Sequence, residues 1–370
     1  MVGHRMAALA LGLLALLTAC GEPADVDNLP LPGQPVGEWT QLVGAEGTVC
    51  ANGSDYSYYA YKGTINKLVI DFQGGGACWD DATCTQGVST VGPDFLYLDV
   101  VTVPETTLEQ GIYDHSRDDN PIQDWYHVFI PYCTGDIHIG NAINTYAVPG
   151  TEATYTVQHK GAVNARSVLD WTFENFTEPE QIFVTGCSGG GYGAAYWTEE
   201  IAAQYPGIDI VQLGDCAAGV SSDAFSEILA NSWDTSATFP ELTFDADVVD
   251  EVYQNAAAAY PDLRLAQYHT LFDPVQINFY AAGTGRDTSP EVAAEWSGAV
   301  QASMTTLANE LDNFSFYVSD FDDDSDPANG TAHCIITKDA IYNEEVNGVK
   351  FTDWLTSYLA GEEVADVSAE

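Results

Sequence analysis

Basic residues are scarce in this chain. Ten Lys and Arg stand against 55 Asp and Glu in 370 residues, a formal net charge of −45. Such a surface repels phosphate backbones, which excludes nucleic acid as a partner; solubility in a salty medium, where self-repulsion is screened, is the plain reading of the charge. Zinc-type spacing is missing as well. There is no Cys-x-x-Cys and no clustered His/Cys pair, so no metal is expected. The apolar run in the first twenty residues is too short to span a bilayer as a helix, and no internal repeat interrupts the chain. What is plentiful is core material: 46% hydrophobic and 12% aromatic residues, enough for one large α/β domain.

The N-terminus reads MVGHRMAALALGLLALLTAC. A basic start, His4 and Arg5, precedes an apolar run from Met6 to Leu17, the anatomy of a secretory signal at 1–19. It ends Leu17-Thr18-Ala19-Cys20, which resembles a bacterial lipobox, so Cys20 is the expected lipid-attachment site. A plain signal peptide with an incidental cysteine is the alternative. Residues 20–40 are polar and rich in Pro and Gly, as expected of a tether from membrane to domain. This organisation implies an exported protein, lipid-anchored to the bacterial cell envelope. Beyond Cys20 seven cysteines remain, an odd number, so at least one is unpaired.

Apolar runs suited to buried strands recur at 68–72, 125–132, 181–186, 208–214 and 314–320. Helical patterns at 161–176 and 191–206 flank the run QIFVTG. This alternation predicts an α/β fold, a mostly parallel sheet of the α/β-hydrolase type with helices on both faces. The domain is expected over 41–359, followed by a frayed acidic tail at 360–370.

The chemistry centres on GCSGGGYG (186–193). A β-like run, Gly-x-Ser-x-Gly, and an immediate helix form the setting of a nucleophile elbow, with Ser188 at its tip. The helix N-terminus would place the Gly189 N–H beside a developing oxyanion. A serine needs a base, and in this fold class the order is Ser, acid, His. Two histidines follow Ser188. His269 lies inside LAQYHTLF, which reads as a strand interior, whereas His333 lies in a loop after a strand-like run. Order alone does not choose among the acids; Asp273, directly before Pro274, is the positional candidate. LVIDF runs into Gly74, Gly75 and Gly76, which can bring backbone N–H groups to a reacting carbonyl.

Six blocks together resemble the pectin acetylesterase/Notum family of carboxylesterases. They are CANGSDYSYYAYKG (50–63), LVIDFQGGGACW (68–79), FIPYCTGDIHIG (129–140), GCSGGGYG, LFDPVQI (271–277) and AHC (332–334), in family order. The resemblance implies Ser188 as nucleophile, Asp273 as acid and His333 as base, with Gly75, Gly76 and Gly189 as oxyanion donors. It also implies a serine carboxylesterase that needs no cofactor and takes a small-molecule or carbohydrate acyl ester, of the short-chain, acetyl type. An amidase or peptidase with the same triad, and a binding lipoprotein on an inactive hydrolase fold, are the alternatives. Three departures touch the pocket wall: Gln73 for Glu, Ala77 for Trp with Trp79 displaced, and Gly189 for Ala. Spacing is consistent with disulfides Cys78–Cys84 and Cys187–Cys216. Acids at 320, 322, 324 and 326 resemble a calcium loop but lack its glycine and terminal Glu, so a solvated acidic loop is expected.

Overall fold

The computed structural model of the chain describes residues 30–85, 97–220, 223–243, 248–322 and 331–369. The expected leader, Cys20, the first half of the tether and most of the acidic loop at 320–330 lie outside the described residues. In chain order the elements are β1 (Trp39–Val43), β2 (Ser57–Tyr61), β3 (Lys67–Phe72), α1 (Asp81–Cys84), β4 (Tyr126–Ile130), β5 (Ala142–Ala147), β6 (Thr154–His159) and α2 (Gly161–Asn175). Then come β7 (Gln181–Cys187), α3 (Gly189–Gln204), β8 (Asp209–Asp215), α4 (Asp223–Glu227), α5 (Val248–Ala259), β9 (Arg264–Thr270) and α6 (Pro274–Gly283). The chain ends with α7 (Pro290–Glu310), β10 (Phe314–Ser319), β11 (Glu345–Val346), β12 (Val349–Lys350), α8 (Phe351–Leu359) and β13 (Val367–Ser368).

One sheet organises the molecule, in the order β1-β2-β4-β3-β7-β8-β9-β10-β13. β2 is antiparallel to both β1 and β4; every other pairing is parallel. The central strands read as continuous apolar runs because both of their faces are covered. Alternate residues go to opposite sides, as the strand's period of two demands. Leu68, Ile70, Ile182 and Val184 join one core with Val168 of α2, Trp197 of α3 and Val252 of α5. Val69, Phe183, Val211 and Leu213 join the other core with Phe351, Trp354 and Leu355 of α8. The expected mostly parallel sheet with helices on both faces is therefore the fold observed.

Two expectations at the ends of the domain differ from the structure. Leu31 is buried and its carbonyl accepts a hydrogen bond from Lys62 Nζ, so the second half of the expected tether packs on the domain. The acidic tail is not frayed. β13 pairs in parallel with β10, Val367 is buried, and Trp354 Nε1 donates to Ala365 O. Acidity signals solvation only for residues whose apolar neighbours have nowhere to dock, and Val364 and Val367 have a strand edge and α8.

The disulfides are Cys50–Cys133, Cys78–Cys84 and Cys187–Cys334. Cys78–Cys84 is as expected, but Cys187 does not pair with Cys216. Cys187 stands level with Asp215 in the β7–β8 register, and one residue later the backbone turns left-handed, with φ 52° at Cys216. Cys334 arrives instead from the loop carrying His333. Cys216 remains a buried free thiol whose Sγ accepts the Cys334 N–H at 3.2 Å.

Because β13 closes the sheet edge, ending the chain at Gly361 should cost about 2 kcal/mol, the burial of one valine side chain. The measurement is a urea midpoint against the full chain. An unchanged midpoint would show that the tail only rests on the edge.

Candidate active site

Ser188 sits between β7 and α3 with φ 58° and ψ −125°, a left-handed conformation that costs a non-glycine residue about 1–2 kcal/mol. The surroundings hold it there. Its N–H donates to Asp215 O at 2.7 Å and its carbonyl accepts from Gly191 N at 2.9 Å. The turn also requires α3 to start hard against β3. A Cβ on Gly190 would lie on the Phe72 carbonyl oxygen, so this position admits only glycine. Gly189 differs: a Cβ there would meet Gly76 O at 3.4 Å and Ile137 Cγ2 at 3.6 Å, ordinary contacts.

The same approach brings the glycine loop after β3 beside the elbow. A Cβ on Gly74 would be 3.0 Å from Ser188 Cβ, and Gly76 adopts φ 77°. Two clamps fix this loop. His138 Nε2–H donates to Gln73 O at 2.8 Å, and Gln73 Oε1 accepts from Tyr132 N at 3.0 Å. Gln73 Nε2 donates to Thr102 O at 3.0 Å, a bond that an ionised Glu could not make. Gln in place of Glu is thus a clamp between two segments as well as a lining residue.

The segment supplying His138 is itself strained, with positive φ at both Ile137 and His138. Tyr132 Oη accepts from Ile137 N, and His138 O accepts from Trp197 Nε1. Asp136, fully buried, accepts from Thr134 Oγ1 at 2.6 Å and Gly161 N at 2.7 Å; burial nevertheless pushes its pKa up to about 7. Residue-type patterns alone do not flag this support. Its one sequence signal is the FIPYCTGDIHIG block.

The candidate acid and base lie at the end of β9 and in the loop beyond β10. Asp273 caps α6, its Oδ1 accepting from Val275 N at 2.9 Å and Gln276 N at 3.0 Å. Its Oδ2 accepts from His333 Nδ1 at 2.6 Å. That bond takes up Nδ1 and leaves Nε2 as the ring's other nitrogen. Burial alone would raise the Asp273 pKa, but the facing His333 and the hydrogen bonds outweigh it and hold it below the usual carboxylate value. Burial would likewise lower His333, yet the Asp273 and Asp215 carboxylates raise it above the ordinary imidazole value. His269 is buried in β9 with Nε2 on Gln267 Oε1, its pKa lowered by burial to about 4.

The Cys187–Cys334 disulfide joins the residue before Ser188 to the residue after His333. Two cavities meet at Ser188. A narrow one of about 90 Å³ is lined by Trp79, Ile137, Phe225, Trp233, Val249 and Phe279, among others. A wider one of about 690 Å³ holds Gly74, Gly75, Gly76, Ser188, His333 and Asn278. Neither lining includes a Lys or Arg among the described residues. The structure thus brings Ser188, Gly189, Gly75, Gly76, Asp273 and His333 into one place, joined by Cys216, which was expected as the disulfide partner of Cys187 and stands instead as a free thiol beside Asp273 and His333.

A strand–elbow–helix unit at the centre of a parallel sheet, with an acid–histidine pair at the carboxyl ends of later strands, defines an α/β-hydrolase-type fold. The sequence profile described as Pectinacetylesterase matches residues 37–236, more than half of the chain, and the chain belongs to that family. It is 25% identical over 174 residues to pectin acetylesterase 11 of Arabidopsis thaliana, covering 44% of this chain and 40% of the relative. It is 27% identical over 159 residues to palmitoleoyl-protein carboxylesterase notum2 of Xenopus laevis, covering 42% and 30%. The alignments thus span about two-fifths or less of the curated relatives' own length. The solved structure of the Wnt deacylase Notum from Drosophila superposes with TM-score 0.59 at 18% identity, over 89% of this chain and 96% of that one. The profile match ends before Asp273 and His333.

Two outcomes follow from this geometry. Gly189→Ala should fold and gain up to about 1 kcal/mol of helix stability, whereas Gly190→Ala should fail to fold. Soluble expression and circular dichroism decide it; an intact Gly190→Ala protein would refute the steric account. The raised His333 pKa predicts an acid limb in kcat/KM above about 6.5, because the base must be neutral to work. Asp273→Asn removes the raising charge and should move that limb down, measured in a pH series on a neutral ester. A wild-type limb below that value would contradict the assignment. The stability contribution has the opposite sense: the ion pair is fully present below the unfolded pKa and lost as pH rises through the folded one.

Proposed function

We propose that the protein is an exported serine carboxylesterase acting through Ser188, His333 and Asp273. The observation that carries this reading is the 2.6 Å Asp273–His333 bond beside a cavity that His333 shares with Ser188. Ser188 Oγ attacks the ester carbonyl while His333 Nε2 accepts its proton and then donates it to the departing alcohol. Asp273 holds the ring and stabilises the imidazolium. The N–H groups of Gly75, Gly76 and Gly189 receive the oxyanion. Water, activated by the same histidine, then releases the acid.

The two cavities divide the substrate. The alcohol must leave from the side of His333, because that residue protonates it, so the wide cavity takes the alcohol. The narrow apolar cavity takes the acyl chain. At about 30 Å³ for each water-sized group, 90 Å³ admits about three such groups, more than an acetyl methyl requires. The acyl preference proposed here is therefore longer than the acetyl group expected from the family. Absence of cations from either lining argues against a polyanionic alcohol. Three disulfides support an oxidising compartment, and lipid attachment at Cys20 remains part of the proposal.

Ser188→Ala and His333→Ala should each lower kcat on p-nitrophenyl esters by about 10³–10⁶ with the fold retained. In wild type, kcat/KM should rise from acetyl to a maximum at an acyl chain a few carbons longer. Full activity in Ser188→Ala would sink the esterase reading and favour a binding lipoprotein on an inactive fold. A maximum at acetyl would show that the apolar cavity is not the acyl site. Faster cleavage of matched anilides than esters would favour the amidase.

A further inference from the structure

Around the Asp273–His333 pair lies a set of mixed donors, two of which, Cys216 and Asp215, the proposed reaction does not use. Cys216 Sγ, a carboxylate oxygen of Asp273 and a ring nitrogen of His333 all lie within 4.8 Å of one another. An oxygen of Asp215 lies within the same distance of Cys216 Sγ. Asp215 Oδ2 is committed to the N–H groups of Ile335 and Ile336, but Oδ1 is buried without a hydrogen-bond partner. A buried oxygen without a donor is costly, and a cation is one of the few things that satisfies it.

The cluster is held rigidly. Cys216 N–H donates to Tyr268 O, Cys216 O accepts from Gln276 Nε2, and its sulfur accepts the Cys334 N–H. The other sulfurs nearby, Cys187 and Cys334, are consumed in their disulfide, which leaves one thiol. One sulfur, one imidazole nitrogen and carboxylate oxygens are the ligands of a zinc-type ion. Donors around a tetrahedral zinc at about 2.0–2.3 Å stand about 3.3–3.8 Å apart, so the 2.6 Å Asp273–His333 contact must open by roughly 1 Å, while gaps of up to 4.8 Å to Cys216 Sγ must close by up to about 1 Å.

We propose that Cys216, Asp273, His333 and Asp215 form an inhibitory site for a thiophilic divalent cation such as Zn²⁺. The ion takes the place of the proton in the Asp273–His333 bond. Cys216 releases its thiol proton to solvent as the metal–sulfur bond forms. The His333 Nδ1 proton gives way to a metal–nitrogen bond, and the ring stays neutral by carrying its proton on Nε2 instead. Nε2 then has no lone pair to accept the proton of Ser188, and the esterase stops. The ion reaches the cluster through the wide cavity past His333, and the net charge of −45 concentrates cations at the surface. Burial raises the Cys216 thiol pKa, as do the neighbouring carboxylates of Asp215 and Asp273, which makes the free thiol inert until a metal replaces its proton.

The inhibition depends on His333 being the base, whereas the binding does not, so the test has two arms. Zn²⁺ binding is measured calorimetrically on Ser188→Ala, with and without Cys216→Ser, in the full mature chain. The expected result is one site that the serine weakens by at least about tenfold, since even outer-shell changes cost that much. The second arm records the ratio of ester hydrolysis with and without Zn²⁺ in wild type, Cys216→Ser and Cys216→Ala. Zinc should inhibit wild type, a chelator should restore it, and both variants should resist. Equal zinc affinity with and without the thiol, or equal inhibition of all three proteins, overturns the proposal. If wild type has no esterase activity the proposed function fails, and the calorimetric arm still decides the site.

Discussion

The structure depends on one close approach. The Phe72 carbonyl at the end of β3 occupies the volume where any side chain at residue 190 would stand. Because position 190 is glycine, α3 can begin within contact of the central strand, and everything at the site inherits its position from that contact. It sets Ser188 at the tip of a turn with φ 58°, and it places the Gly74–Gly76 loop beside the serine. The strain at Ser188 is held by backbone bonds to Asp215 and Gly191, both of which exist only while α3 stays against the sheet. A local backbone cost is thus supported by the packing of the whole centre.

Buried carboxylates show how an acidic chain keeps charge out of its core. Asp136 and Asp273 are satisfied by backbone and side-chain donors, and Asp273 alone faces a partner that keeps it ionised. Asp71 in β3 is handled differently. His115 Nδ1 must donate to the Gln123 carbonyl, which leaves His115 Nε2 to accept from His127 Nδ1–H. His127 Nε2 is then bare, and the 3.3 Å bond to Asp71 requires the proton to come from the carboxyl. Burial drives both sides the same way, raising Asp71 well above the usual value and lowering both imidazoles to about 3. The chain of bonds carries no net charge, which is how an aspartate is tolerated in a central strand.

Much of this was legible in the sequence, for identifiable reasons. Strands such as QIFVTG and LVIDF are unbroken apolar runs, and a parallel sheet buried on both faces leaves no other use for them. Asp273 was legible because Pro274 marks a helix start, and an acid before it is also an N-cap. The disulfide partner of Cys187 was not legible. Register places Cys216 next door, but the left-handed turn after Asp215 points its sulfur at the Cys334 amide, and that turn has no composition signal. The docked tail was missed because its acids mask Val364 and Val367, whose value depends on a strand edge formed far away in sequence.

The scarce cations explain where the acidity is allowed to act. Arg117, Arg166, Arg264 and Arg286 each hold a carboxylate near the surface, pairing with Asp119, Glu200, Asp209 and Glu295. Exposed pairs of this kind contribute little stability, about 0–1 kcal/mol each. Lys62, Lys67 and Lys160 spend their ammonium groups on a carbonyl, a glutamine and an asparagine. None of these side chains reaches the two cavities at Ser188. The positive potential that the proposed oxyanion needs is then left to backbone N–H groups, in a loop fixed by the clamps at Gln73 and His138. On the proposed reading, a protein with so many acids builds its oxyanion site out of peptide dipoles, whose strength does not depend on titration.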